Sequence, residues 1–243
     1  MDFCKIREKA SKRDTIEIYP DFVVKRNSDL MVRGKSFYAI WDEDAKIWSR
    51  NAIDAANIVD RELKKAFSLS KQNNPDNRYI VKYMEEFSSG SWENFTRFLS
   101  KAPDNFKQLD DKVTFASTEI TKKDYVSKRL PYDLRDEPCD SYEELISTLY
   151  SPEERHKLEW AIGSVLAGDS KNIQKFIVLY GEGGSGKSTV LNIIEKLFEG
   201  YTAVFNAKEL TGTNNQYVSG AIFNNDPLVA IQHDGDLSNI KDN

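Results

Sequence analysis

Cysteine and histidine are scarce in this chain of 243 residues, which contains two of each. Cys4 and Cys139 stand far apart with no second cysteine near either, and His156 and His233 are equally isolated. Structural zinc sites need about four clustered ligands, and disulfide-stabilised domains need dense cysteines. The sequence therefore argues against both classes, and it predicts buried or reduced thiols and no structural metal.

Long apolar runs are also missing. No stretch approaches the roughly 18 consecutive apolar residues of a membrane-spanning helix. The N-terminal sequence MDFCKIREKASKRD lacks the apolar core of a signal peptide. With 40% apolar and 30% charged residues, the composition is typical of a folded globular protein. We therefore expect a cytoplasmic protein with no membrane partner.

Charge is distributed unevenly along the chain, whose net value is −5. Residues 1–130 carry +4 (25 basic and 21 acidic), and residues 131–243 carry −9 (9 basic and 18 acidic). Such asymmetry can mark separate modules, but +4 over this length does not by itself predict nucleic-acid binding. The polar sequence DLRDEPCD at residues 133–140 is interpreted as a linker.

Residues 1–132 are predicted to form a small α+β domain. Strands are expected within residues 15–26, with a break near Pro20, and a hairpin is expected over residues 34–48. Further predictions are helices over residues 51–68, 79–87 and 92–99 and a strand over residues 112–116.

Two features of this domain leave a nucleic-acid role open. Trp41 and Trp48 either fill the core of a small sheet or stack on nucleobases. Residues 121–130 form the most basic stretch, which is either a solvated surface or a phosphate contact. The candidate phosphate ligands are Lys122, Lys123, Lys128 and Arg129.

Residues 133–170 are predicted to be a linker followed by a helical connector. Two S-x-x-E capping boxes indicate helix starts, one from Ser141 to Glu144 and one from Ser151 to Glu154.

The motif that carries chemistry follows in residues 171–243. The apolar run QKFIVLY at residues 174–180 is typical of a buried parallel strand. The sequence GEGGSGKS comes next and matches G-x-x-x-x-G-K-[ST] at each fixed position. A helix expected over residues 189–198 completes the strand, glycine loop and helix of a phosphate-binding P-loop.

The residue types in this loop suit a triphosphate. Glycines let the backbone adopt positive φ, so that several N–H groups converge on the anion at the positive end of a helix. Lys187 is expected to contact the β- and γ-phosphates, and the Ser188 hydroxyl is expected to ligate Mg²⁺. ATP and Mg²⁺ are therefore the predicted cofactors. The predicted nucleotide-binding residues are Gly181, Glu182, Gly183, Gly184, Ser185, Gly186, Lys187, Ser188 and Thr189.

A P-loop also needs an acidic element that holds the metal and polarises water. Residues 228–231 form an apolar run expected to be a strand, and Asp234 and Asp236 follow it. If the strand runs two residues longer, Asp234 lies at its carboxyl end beside the P-loop. Asp234 is then the metal ligand and hydrolytic acid, with Asp236 as the alternative and Lys187 as the third catalytic residue. Otherwise these acids form only a surface turn.

The run KFIVLYGEGGSGKSTVLNIIEKLFEG, followed by FNAKEL and PLVAIQHDGDLSNIKDN, resembles the helicase domain of phage and plasmid primase-helicases. These proteins belong to helicase superfamily 3 of the AAA+ class and are relatives of the poxvirus primase-helicase. The segments YPDFVVKR, DLMVRGKSFYAIWDEDAKIW and KRLPYDL are similar to the small domain that precedes the motor. The resemblance covers nearly the whole chain, and the P-loop is its most specific part.

The resemblance implies an α/β fold with a parallel P-loop sheet of the AAA+ type. It also implies ATP hydrolysis coupled to translocation on single-stranded DNA, usually by a hexameric ring of identical subunits. A phage-encoded member would work in the host cytoplasm. Members continue past the second acidic element with a DNA-contacting hairpin, a sensor residue and an arginine finger. We therefore expect this chain to hold an incomplete sheet, the leading part of the motor.

The match can be followed residue by residue. Asp234 takes the Walker B position, and the chain departs from the family where Gln232 and His233 precede it in place of acids. The P-loop roles fall on Gly181, Gly186, Lys187 and Ser188.

Two other functions stay open. One is a non-catalytic, nucleotide-dependent module for DNA loading or assembly. The other is a small-molecule P-loop kinase, which should carry arginines in a lid. No arginine follows Thr189, which weighs against the kinase.

Overall fold

The computed structural model describes residues 1–11, 14–23, 29–34, 37–84, 90–205 and 227–233. Over these residues the chain is a mixed α/β structure of small sheets and helices. It divides into two compact units. The first unit comprises Met1–Leu109 and Ile120–Ser127, and the second comprises Asp110–Glu119 and Lys128–Asn243.

In its described residues the first unit forms two three-stranded sheets. One has the strand order β1-β2-β6, with β1 antiparallel and β6 parallel to β2, and the other is the antiparallel meander β3-β4-β5. The elements are β1 (Cys4–Ser11), β2 (Thr15–Phe22), β3 (Leu30–Arg33), β4 (Phe37–Asp42), β5 (Ile47–Ser49), α1 (Ala52–Asn73), β6 (Arg78–Val81), α2 (Gly90–Leu99) and a 3₁₀ turn at Lys122–Asp124.

Pro20 lies inside β2 and does not break it. The Ile18 carbonyl accepts the Lys82 N–H. The backbone groups of Ile18 and Pro20, which are two residues apart, therefore point towards the β6 side of the strand. Pairing with β6 ends at Ile18 and Val81. The missing N–H of the proline therefore falls beyond the shared ladder, where it is tolerated.

The helix predicted over residues 79–87 is wrong in its described part. Arg78–Val81 is strand β6, which pairs in parallel with Thr15–Ile18 of β2. Apolar residues in so short a run fit the period of a helix and that of a strand equally well. The segment forms a strand because the edge of β2 is available to pair with it. The strand predicted over residues 112–116 is likewise not assigned, although the Thr114 carbonyl accepts the Leu130 N–H at 2.8 Å.

The predicted hairpin is confirmed as β4 and β5, in which Trp41 and Trp48 are direct cross-strand partners. Both indoles are buried, 6% and 2% exposed, in a cluster with Met31 and Leu109. The core interpretation of these tryptophans is therefore confirmed, and their ring faces are not open to bases. The predicted helices over residues 51–68 and 92–99 are confirmed as α1 and α2.

The second unit carries the P-loop. Ser151 caps α4 through a complete capping box with Glu154, as predicted. The Ser141 box is wrong, since α3 begins two residues earlier than that box predicts, with Cys139 as its N-cap. The elements are α3 (Asp140–Leu149), α4 (Pro152–Leu166), α5 (Ser170–Ile173), α6 (Lys187–Leu197), β7 (Thr202–Val204) and β8 (Val229–Ile231), the last two forming a parallel pair.

The segment before the P-loop differs from the prediction. In the described structure residues 174–180 carry no strand, and Phe176 and Tyr180 are 87% and 98% exposed. A strand forms where a neighbour completes its hydrogen bonds. β7 and β8 pair with each other and not with this segment, so its apolar side chains remain outside a sheet.

Candidate nucleotide-binding site

The glycine loop ends at the N-terminus of α6. Gly186 is the N-cap of this helix with a φ of 79°, and Gly184 has a φ of 85°. Both values lie in the left-handed region, where a residue with a Cβ is strained. The Ser185 N–H donates to the Glu182 carbonyl at 3.3 Å, which closes a turn inside the loop. The backbone of the loop thus requires glycine at positions 184 and 186.

Helix α3 supports the start of α6 through Leu149. A Cβ placed on Gly186 would lie 2.5 Å from Leu149 Cδ2 and 2.7 Å from its Cδ1. Leu149 packs with Ile146, Leu158 and Val190, which come from α3, α4 and α6. The sequence motif gives no sign of this contact. It assigns the glycine to phosphate approach alone, whereas the structure adds close packing by the connector helix.

The ammonium of Lys187 is held by its own loop. Lys187 Nζ lies 2.8 Å from the Gly181 carbonyl oxygen, 2.7 Å from the Glu182 carbonyl oxygen and 3.0 Å from Ser185 Oγ. Three oxygen atoms therefore surround the cation. These contacts join Lys187 to residues that precede it in the motif by two, five and six positions. A phosphate oxygen that binds Lys187 has to share or replace them.

The first turn of α6 offers further groups to an anion and its metal. Ser188 and Thr189 are exposed, and Val190 behind them is buried at 2% exposure. This turn contains no acidic residue. The N–H groups that begin a helix have no acceptor within it, and they carry a positive partial charge. Hydroxyl oxygen is also a hard ligand that suits Mg²⁺. The donor set fits a magnesium-bound phosphate.

The predicted acidic element is described only in part. The expected strand over residues 228–231 is confirmed as β8, which runs parallel to β7. His233, just past β8, has its Nε2 3.6 Å from Glu195 Oε2 on α6. Asp234 and Asp236 lie outside the described residues. Their place beside the P-loop, and the roles of metal ligand and hydrolytic acid, stay predictions.

Most of the predicted phosphate ligands in the basic stretch contact the protein itself. In the first unit, Lys122 Nζ lies 2.6 Å from Asp29 Oδ1, while Lys123 is exposed. In the second unit, Lys128 Nζ lies 4.9 Å from the ring centre of Tyr201. Arg129 there donates to the Ala116 carbonyl at 3.2 Å. These contacts favour structural roles for three of the four cations.

Comparison of the chain with protein-family models, curated proteins and solved structures gives no match. Within the described ranges, no group of three or more histidine, cysteine or acidic side chains is placed to hold a metal ion. In the same part of the chain, no helix combines the length and apolar character needed to cross a membrane.

Proposed function

We propose that the second unit binds ATP with Mg²⁺ and that the chain is the ATP-binding and hydrolysing part of a viral or plasmid DNA-replication helicase. One observation carries the proposal. Two glycines with positive φ lead into an 11-residue helix whose first residue is Lys187 and whose second is Ser188. This is the arrangement that a triphosphate needs, with backbone donors, a cation and a hydroxyl ligand at one helix end.

Binding would exchange one set of contacts for another. Lys187 releases the Gly181 and Glu182 carbonyls and takes up β- and γ-phosphate oxygens, which are charged and therefore stronger acceptors. The loop N–H groups bind the same phosphates. Ser188 would hold Mg²⁺, whose chemistry is to neutralise charge between the phosphates. Thr189 is the neighbouring hydroxyl for the α-phosphate.

The helicase assignment adds the remaining residues. The parallel pair of β7 and β8 follows the P-loop helix, as expected for the start of a parallel P-loop sheet. Asp234, or Asp236 in its place, would ligate the metal and orient water. The proposed partners are single-stranded DNA and further copies of the chain in a hexameric ring. The proposed location is the host cytoplasm.

A second candidate is a nucleotide-dependent loading or assembly module without turnover of its own. It is favoured by the residues that come directly after β8, where Gln232 and His233 stand in place of acids. Such a module would bind ATP through the same loop.

An ATPase assay separates these functions. We expect turnover that rises when single-stranded oligo(dT) is added and that is lost in Lys187→Ala. ATP binding without turnover, with or without DNA, would favour the loading module. Turnover that requires a small phosphate acceptor would favour the kinase. Arg78→Ala, which removes an exposed arginine on β6, serves as the control variant.

A further inference from the structure

One end of the β3-β4-β5 sheet carries arginines and phenylalanines in place of its core residues. Arg33 is the cross-strand partner of Phe37, and it is the one exposed residue of β3. Residues two apart in a strand share a face, so Arg33 lies on the face of buried Met31, and Phe37 lies on that of Ala39 and Trp41. Where this apolar face reaches solvent, its side chains become cationic and aromatic.

A second ring is fixed beside the first by the adjoining loop. Asn105 Oδ1 accepts the Val32 N–H at 2.7 Å, its Nδ2 donates to the Leu30 carbonyl at 2.9 Å, and its N–H donates to the Val32 carbonyl at 3.1 Å. These three hydrogen bonds hold the loop alongside β3 in the way that a further strand of the sheet would be held. The next residue, Phe106, meets Phe37 edge to face with ring centres 5.1 Å apart. The rings are therefore held in place before any ligand arrives.

Two guanidinium groups lie on these rings. The Arg33 Cζ is 4.2 Å from the ring centre of Phe106 and 5.1 Å from that of Phe37. The Arg50 Cζ is also 5.1 Å from the Phe37 ring centre. A guanidinium stacked on a ring directs its N–H groups outward in its own plane, which is where phosphate oxygens bind, and its outer face can stack on a base. We call Arg33, Phe37, Arg50 and Phe106 the arginine–phenylalanine patch.

We propose that the arginine–phenylalanine patch is a binding platform for single-stranded DNA on the first unit. Stacking surfaces combined with cations are how proteins hold single strands without reading their sequence. Of the two units, the first is the more favourable for an anionic strand, with a charge by sequence of +4 (22 basic and 18 acidic) against −9 for the second (12 basic and 21 acidic). This inference deepens the proposed function, and the choice of DNA as the bound strand rests on that function.

The test is the binding of a fluorescent oligo(dT) 20-mer, followed by anisotropy without nucleotide. Arg33→Ala and Phe106→Ala should each weaken binding about tenfold, the loss typical of one stacked base. Arg33→Lys should restore little of the affinity that Arg33→Ala loses, because lysine keeps the charge but lacks the planar face of the guanidinium. Arg33→Ala should also make the negative slope of log affinity against log salt shallower by about 0.7, the value for one phosphate contact on a single strand.

Two variants control for charge and folding. Arg78→Ala removes the same charge from the other sheet of the first unit and should bind as the wild type does. Phe106→Leu keeps apolar volume beside the sheet and should lose affinity while the circular dichroism spectrum is unchanged. Binding by Arg33→Ala and Phe106→Ala within twofold of the wild type would overturn the proposal, and so would a wild type that does not bind.

A competitor identifies the class of partner. Polyglutamate should displace the labelled strand far less well than unlabelled oligo(dT) at equal charge. Equal displacement would assign the patch to acidic proteins and overturn the DNA proposal. A wild type that binds oligo(dT) through the patch but binds no ATP would contradict the proposed function alone. A wild type that binds ATP but does not bind oligo(dT) through the patch would contradict this inference alone.

Discussion

Leu149 Cδ2 lies 2.5 Å from the position of a Cβ on Gly186, the residue that caps α6 with a φ of 79°. The connector helix α3 and the nucleotide loop therefore form one packed structure. We predict that Gly186→Ala destabilises the second unit by about 2 kcal/mol, because a left-handed conformation alone costs an alanine about 1–2 kcal/mol. Chemical denaturation of the purified variant measures this loss.

Gly183 provides the matched control within the same loop. It has no heavy atom within 4 Å of a placed Cβ, and its φ is not positive. Gly183→Ala should change the free energy of unfolding by less than about 0.5 kcal/mol. Equal stability of the two variants would contradict the packing of α3 against the loop.

The two thiols should differ sharply in reactivity. Cys4 is buried, and burial raises the pKa of its thiol to about 12, whereas Cys139 is exposed. Because the thiolate is the reactive form, we expect an aromatic disulfide reagent at pH 8 to label one thiol in the native protein. The second thiol should react only when the first unit unfolds. Two rapidly reacting thiols would contradict the burial of Cys4.

The contact between α3 and α4 predicts a pH dependence. Arg155 donates to both carboxylate oxygens of Glu143 at 2.6 Å, and this pairing lowers the pKa of Glu143. A lowered folded-state pKa means that the stabilisation is complete above the unfolded value of about 4.3 and is lost as the pH falls through the folded value. The effect is small because the pair is solvent-screened.

The measurement is the melting temperature of the wild type and of Glu143→Gln at several pH values. The variant should melt lower at pH 7, and the two melting temperatures should converge as the pH falls below about 4. A difference that grows towards acid pH would contradict the bidentate pair.

Local patterns predicted most of the helices and the phosphate loop. The loop depends on a short run of glycines and on the helix that follows, so GEGGSGKS was enough to predict both, although α6 begins at Lys187, two residues before the predicted start at Thr189. The Ser151 capping box is equally local, since its two partners are three residues apart. Such features need little information from the rest of the chain.

The features that the sequence did not predict depend on contacts between residues far apart in the chain. Arg78–Val81 is a strand because β2 offers an edge more than fifty residues earlier in the chain. The cations of residues 121–130 are engaged by distant partners, Asp29 for Lys122 and Tyr201 for Lys128. The arginine–phenylalanine patch was missed for the same reason. Its members come from β3, β4, the residue after β5 and a loop, with no spacing that marks them.

Binding of ATP with Mg²⁺, measured by isothermal titration calorimetry on the wild type and Lys187→Ala, tests the central claim most directly. The wild type should bind one nucleotide per chain. Lys187→Ala should weaken binding at least about tenfold, because it removes charge-assisted bonds to phosphate that are worth roughly 1.5–3 kcal/mol. Its stability should change little, since the Lys187 contacts with the loop are exposed. Equal affinity in the two proteins, or a wild type that binds no ATP, would contradict the nucleotide site.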